Sequence, residues 1–287
     1  MAFNQIHELR RKKERGKPIV SITAYDLFTA KLAQNAGVDF VLVGDSMGNV
    51  IQGHETTVPV TLDDVIYHTK IVVANIQDTL VVGDMPFGTF KVNADETVHN
   101  ALRLFKESGC GAVKMEGADE TNLEAIPRLI KLGIPVMGHL GLLPQRVHAT
   151  GGYRIQGKTE SSRSRLLAEA KALETAGVFA IVLECVEGRT AEMITEALKV
   201  PTIGIGSGPG TDGQILVIHD ALGMQARYMP KFARKFANLF DEGAKGLKEY
   251  ADGVREGSFP GASEYTLVPQ KADAQADDES NEGAKPA

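Results

Sequence analysis

Eight short, β-rich apolar runs punctuate the sequence, each ending in polar or glycine residues, and all but the seventh are followed by a stretch with helical patterning. They span Pro18–Asp26, Phe40–Asp45, Thr79–Met85, Ala112–Gly117, Pro135–Gly141, Ala180–Val186, Pro201–Ser207 and Gln214–Asp220. Strands that alternate with helices imply right-handed parallel crossovers. Eight such units in roughly 200 residues favour a closed α/β barrel of the (β/α)8 TIM type over an open sheet. The weak point is Gly206–Gly213, which leaves no room for a helix between the seventh and eighth strands, so that either the connection is shortened or one strand is misassigned.

The helical stretches carry boundary signals. Thr61 with Asp63 and Asp64, and Asn93 before Glu96, predict helix starts, and Gly109 and Gly177 predict helix ends. Two long loops break the repeat, Ser46–Val60 after the second strand and Leu142–Lys158 after the fifth. Long loops at strand C-termini are where barrels handle substrate. Residues 1–265 read as one barrel domain with an N-terminal helix, and 266–287 as an acidic, disordered tail poor in large apolar side chains.

Charged residues inside a buried strand demand an account. Six share one address: Asp45, Asp84, Lys114, Glu116, His139 and Glu184 all fall at C-terminal strand ends, the face on which barrels build active sites. Lys114 and Glu116 are two apart and point to one side, the barrel mouth, whereas Val113 and Met115 point to the helices. With Glu184 at the mouth, Cys185 is buried behind the strand as a small hydrophobe. Any one of these residues alone also reads as a strand-end polar group meeting a loop, and Lys114 as a plain ion-pair partner. Together, three convergent carboxylates, Asp45, Asp84 and Glu116, would repel one another unless a hard cation joins them, and the scarcity of His and Cys ligands favours Mg2+ over Zn2+.

Other motifs say less. His68 and His99 read as packing or surface residues of helices, and His54 lies in the loop after the second strand. The glycine string Gly204, Gly206, Gly208 and Gly210 suits a phosphate cradle or simply a tight turn. A net charge of -6, half of it in the tail from Gln270, gives no electrostatic reason to bind nucleic acid. The basic cluster Arg10, Arg11, Lys12, Lys13 and Arg15 is diluted by Glu8 and Glu14 and reads as a solvated helix face. No apolar run approaches the roughly 20 residues that span a bilayer. Two distant cysteines, Cys110 and Cys185, fit a reducing compartment, and with no secretory or transit signature the expected location is the cytoplasm.

From about Ile19 to Gly261 the chain closely resembles the ketopantoate hydroxymethyltransferase family. The resemblance rests on Thr23-Ala-Tyr-Asp, Val43-Gly-Asp-Ser-Met-Gly, Gln52-Gly-His, Asp84-Met-Pro-Phe, Val113-Lys-Met-Glu-Gly, Gly138-His-Leu-Gly-Leu-Leu-Pro-Gln, Gly151-Gly-Tyr-Arg-Ile-Gln-Gly, Leu183-Glu-Cys-Val and Ile203-Gly-Ile-Gly-Ser-Gly. It implies a barrel of the phosphoenolpyruvate/pyruvate-type superfamily that passes a one-carbon unit from 5,10-methylenetetrahydrofolate to 3-methyl-2-oxobutanoate. It further implies Mg2+ on Asp45 and Asp84 with Glu116 close by, substrate contacts at Asp45, Ser46, Asp84, Lys114 and His139, and Glu184 as the base. A homo-oligomer, of decameric size, is the implied assembly, with small-molecule substrates and neither nucleic acid nor membrane as partner. The chain departs from the pattern at Ser207, where a smaller alanine is expected, and in its acidic tail. Rival readings are a 2-oxo-acid lyase or mutase barrel of the isocitrate lyase type, which usually carries a cysteine in the long loop that is absent here, and a non-catalytic scaffold, which has no need to bury such charges.

Overall fold

The computed structural model describes residues 5–150, 152, 154–225 and 229–267. Gly151 and Tyr153 of the long loop, and the tail from residue 268, lie outside them. The chain divides into a unit that runs through Ala237 and a second from Asn238.

In the first unit the order is α1 (Gln5–Glu14), β1 (Ile19–Thr23), α2 (Leu27–Asn35), β2 (Phe40–Val43), α3 (Met47–Val50), α4 (Leu62–Asn75), β3 (Leu80–Asp84), α5 (Ala94–Ser108), β4 (Ala112–Glu116), α6 (Glu120–Lys131) and β5 (Val136–Gly141). A 3-10 turn at Pro144–Arg146 follows, then α7 (Val147–Thr150), α8 (Glu160–Ala176), β6 (Ala180–Glu184), α9 (Gly188–Ala197), β7 (Thr202–Ile205), β8 (Gly213–Leu216) and α10 (Ile218–Ala221). The strands pair in sequence order, all parallel, and β8 closes on β1. The (β/α)8 barrel expected from the eight runs is therefore the fold. As the spacing requires, no helix separates β7 from β8.

Local chemistry explains most boundaries. Thr61 caps α4 by accepting from the Asp64 N–H, Asn93 caps α5 by accepting from Glu96, and Gly109 and Gly177 end α5 and α8 in the left-handed conformation. Most strands stop within two residues of their expected ends, but two stop three or four residues short. Asp26 does not extend β1; its carboxylate accepts from the Thr29 N–H and starts α2. The β-branched run Val217-Ile218 reads as strand, yet the Ile218 N–H donates to the Thr23 hydroxyl at 3.0 Å, and the chain turns into α10.

Alternation along each strand builds two apolar layers. The inner one fills the barrel with Ile19, Phe40, Leu42, Leu80, Val82, Ala112, Met137, Ala180, Val182, Ile203 and Ile215, and Leu9 of α1 joins it from below. The outer one, including Val41, Val43, Val81, Val113, Met115, Ile181 and Leu183, packs against the helices. The basic face of α1 is more than a solvated surface: Lys12 pairs with Asp39, and Lys13 reaches the Asp212 carboxylate and the Thr195 carbonyl, both at 2.8 Å. These ties hold α1 across the N-terminal end of the barrel.

In the second unit, α11 (Leu239–Glu256) ends at Gly257 and buries no residue; Phe240, Leu247, Tyr250 and Val254 are all exposed. Among the described residues no helix is long and apolar enough to cross a membrane.

Candidate active site

Parallel register sets the site. Asp84 at the end of β3 is the cross-strand partner of Lys114 on β4, Glu116 that of His139 on β5, and Gly141 that of Glu184 on β6. Paired residues point to the same side, and because Val82, Ala112, Met137 and Val182 line the barrel interior, the polar residues two positions on emerge at its mouth. Asp45 and Ser46 follow β2 through Gly44, where a Cβ would lie 2.9 Å from the Ser46 hydroxyl. All six polar residues singled out in the sequence, with Ser46, thus belong to the same end of neighbouring strands.

Lys114 is wholly given to Asp84, with Nζ 2.7 Å from both carboxylate oxygens. The Asp45 N–H also donates to Asp84 Oδ2, at 3.2 Å. Among the described residues Asp45 has no ion-pair partner of its own. Its side-chain hydrogen bond comes from Gln145 Nε2 at 2.9 Å. His139 stands between two carboxylates, Nδ1 at 3.4 Å from Glu116 Oε1 and Nε2 at 3.2 Å from Glu184 Oε2. These are ion-pair distances without hydrogen-bond alignment: neither ring nitrogen and neither Glu116 oxygen has a hydrogen-bond partner among the described residues.

The electrostatics follow from burial and charge count. Burial, with the Asp84 and Glu116 charges added, pushes the Asp45 carboxyl up to about 8. Burial raises Asp84 as well, against the pull of Lys114. Burial opposes the Lys114 ammonium, but Asp84, Glu116 and Asp45 outweigh it and hold its pKa above the ordinary lysine range. Burial and Lys114 disfavour the His139 imidazolium, yet Glu116 and Glu184 hold it up to about 9. Burial opposes ionised Glu116, and His139 with Lys114 keeps its carboxyl below the usual range. The cluster therefore stores more negative charge than its one lysine and one histidine offset.

The remaining sequence candidates sort themselves. Cys185 is buried, and burial with the Glu184 charge pushes its thiol up to about 12, which leaves no thiolate for nucleophilic attack at neutral pH. His68 Nδ1 lies 2.6 Å from the Tyr25 carbonyl oxygen, and His99 is exposed on α5. The glycine string begins inside β7 and runs toward β8, and its Gly206 and Gly208 line a cavity of about 1020 Å³ with Lys13, Lys17, Ile19 and Gly213, at the N-terminal ends of β1 and β8 and away from the carboxylates. Ser207 is buried, donating to the Leu183 carbonyl at 2.7 Å and accepting from the Val186 N–H at 3.0 Å, so it spans the turn that carries Glu184.

Two residues escaped the sequence reading: Gln145, and Tyr25, whose hydroxyl lies 2.8 Å from that of Ser46. Both stand inside quoted motifs, but a neutral side chain in a loop gives no charge anomaly to mark it.

With this geometry in hand, comparison decides the family. A family model described as ketopantoate hydroxymethyltransferase matches residues 4–262. The chain belongs to the ketopantoate hydroxymethyltransferase family. A Moorella thermoacetica protein named 3-methyl-2-oxobutanoate hydroxymethyltransferase is 49% identical over 253 residues, covering 88% of this chain and 94% of that protein. One of the same name from Pseudothermotoga lettingae is 49% identical over 260 residues, covering 91% and 96%. Solved structures share the fold at low identity. Phosphonopyruvate hydrolase, in a complex with oxalate and Mg++, superposes with a TM-score of 0.57 at 13% identity over 92% of each chain. A 2,3-dimethylmalate lyase of the phosphoenolpyruvate mutase/isocitrate lyase superfamily gives 0.56 at 17% identity over 93% of this chain and 91% of its own.

Proposed function

We propose that this enzyme transfers a hydroxymethyl group from 5,10-methylenetetrahydrofolate to 3-methyl-2-oxobutanoate, yielding 2-dehydropantoate and tetrahydrofolate for pantothenate synthesis, with Mg2+ as cofactor and Glu184 as base. The observation that carries it is the row of Asp45, Asp84, Lys114, Glu116, His139 and Glu184 at one barrel mouth, in a chain of this family.

The residues suit Mg2+. Both Glu116 oxygens are buried without a hydrogen-bond partner among the described residues, and burial with the Asp84 and Glu116 charges pushes Asp45 toward protonation, a conflict that a cation would relieve. Among the described residues no group of three His, Cys, Asp or Glu forms a ready cage. Mg2+ does not ask for one, because it binds through one or two carboxylates and keeps water or substrate oxygens as its other ligands. Asp45 and Asp84 would hold it, with Glu116 beside them. When bound, it supplies Lewis-acid stabilisation to the charge that develops on the oxygen of a 2-oxo acid.

The chemical difficulty is to remove a proton from the tertiary carbon next to a ketone. Glu184 is the carboxylate at the mouth most open to solvent, with 15% of its side chain exposed. It takes that proton, and the enolate carbon attacks the methylene carbon of the folate, breaking its bond to one folate nitrogen, which takes up the proton. Water then displaces the second nitrogen, supplying the hydroxyl oxygen and releasing tetrahydrofolate. Lys114 holds Asp84 in place and sets a positive charge beside the forming enolate. His139 sets a positive charge 3.2 Å from one Glu184 oxygen, and Ser46, steadied by Tyr25, is the hydroxyl for the substrate carboxylate.

The test is purified protein with Mg2+, 5,10-methylenetetrahydrofolate and 3-methyl-2-oxobutanoate, followed by chromatography for 2-dehydropantoate. Cleavage of another 2-oxo acid with no 2-dehydropantoate formed would replace this reading with a lyase. The same reading makes the chain a cytoplasmic homo-oligomer, supported by α11, an 18-residue amphipathic helix with none of its residues buried. Light scattering on the purified protein tests the assembly, and a monomeric mass would end it.

A further inference from the structure

Asp45 is 4% exposed, close to two other carboxylates, and has no ion-pair partner among the described residues, since Lys114 bonds to Asp84. A carboxylate so placed is costly to keep ionised, and no ion pair is there to choose its rotamer. Its side-chain partner arrives from across the barrel mouth. Gln145 sits in the 3-10 turn that follows β5, started by Pro144, and is itself 5% exposed. Its Nε2 donates both hydrogens, one to Asp45 Oδ2 at 2.9 Å and one to the Met85 carbonyl at 3.0 Å.

Both partners are acceptors, so the amide has one acceptable orientation: turning it over would set Oε1 against a carboxylate and a carbonyl. The amide is thus locked, and it locks Asp45 in turn. One hydrogen bond ties the loop after β5 to the end of β2, and the other ties it to the residue after β3.

We propose that Gln145 is a positioning residue for the Asp45 carboxylate, committing Oδ2 to the protein so that the other oxygen, Oδ1, is held ready for the cation. This rests on the Mg2+ reading above. The neutral donor favours ionised Asp45 without competing for it as a lysine would, and it removes the rotamer freedom that cation binding would otherwise have to freeze.

Two variants of the full chain test the role, Gln145→Met and Gln145→Leu, with Mg2+ affinity read by calorimetry, alone and with 3-methyl-2-oxobutanoate present. Met matches glutamine in length and bulk but donates nothing. The expected result is Mg2+ binding about 10-fold to 100-fold weaker in both variants, with Tm little changed and activity recovering at excess Mg2+. A packing role predicts a different pattern, with Met like wild type and Leu impaired, and that result would overturn the proposal. So would Met affinity within threefold of wild type, or loss of the fold in both variants, which would make Gln145 a strut. Wild-type protein that binds no Mg2+ sinks the cation reading, and this role with it. Tight wild-type binding left unaltered in the variants sinks the Gln145 role alone.

Discussion

At the scale of single residues, the proposed roles separate charge that binds from charge that reacts. Glu184 lies outside the Asp45–Asp84–Lys114 group, with His139 as its neighbour at 3.2 Å. Glu184→Gln keeps size and polarity while removing basicity, so Mg2+ and 3-methyl-2-oxobutanoate should still bind. The chemical step should slow by about 100-fold to 10,000-fold, the usual contribution of a positioned base. NMR of the substrate in deuterated buffer without folate checks it: exchange of the C3 proton at the wild-type rate would assign the base elsewhere. Asp45 allows a pH test. Its folded pKa, about 8, lies above the ordinary aspartate value, so its contribution to stability is full below about 4 and is lost as pH rises through 8. Asp45→Asn removes this liability. Metal-free Asp45→Asn protein should therefore melt higher than wild type at pH 8 and show much less gain near pH 4.5, while losing Mg2+ affinity. An equal Tm difference at both pH values would contradict the assignment.

At the scale of elements, the ends of β5 and β6 carry the groups proposed to react. Gly141 is the cross-strand partner of Glu184 and has φ +97; a Cβ there would fall 2.2 Å from the Glu184 carbonyl oxygen. Gly141→Ala meets both a left-handed backbone and a backbone clash, so it should cost more than about 1 kcal/mol of stability. It should also push the end of β6 away from β5, lowering kcat more than it raises KM. Urea unfolding with steady-state kinetics measures both, and a fully active variant would show that the two strand ends adjust independently. Helix starts at Thr61 and Asn93 were legible in the sequence because a capping side chain and its target N–H are three residues apart. The end of β8 was not, because what stops it is the Thr23 hydroxyl, nearly two hundred residues away.

For the whole molecule, closure of eight strands makes the mouth a shared product of β2 to β6. A ligand that bridges their ends stabilises the barrel by linkage, by about 2.7 kcal/mol at a concentration of 100 times its Kd. Mg2+ with 3-methyl-2-oxobutanoate should therefore raise the melting temperature of the barrel, and a chelator should reverse the shift and abolish turnover until Mg2+ returns. Full activity in protein freed of divalent cations, with no thermal shift on adding Mg2+, would remove the metal from the mechanism.

The sequence by itself determined the barrel and the membership of its mouth, because strand alternation and charges at strand ends are local patterns that need no knowledge of what lies opposite. Asp45, Asp84, Lys114, Glu116, His139 and Glu184 were all readable in this way. Only the tertiary structure decided the pairings: that Lys114 bonds to Asp84 and leaves Asp45 without an ion-pair partner among the described residues, that His139 stands between Glu116 and Glu184, and that Gln145 crosses from the loop after β5 to hold Asp45. These depend on the register between strands and on the path of a loop across the mouth, and both are settled by packing between segments far apart in the chain.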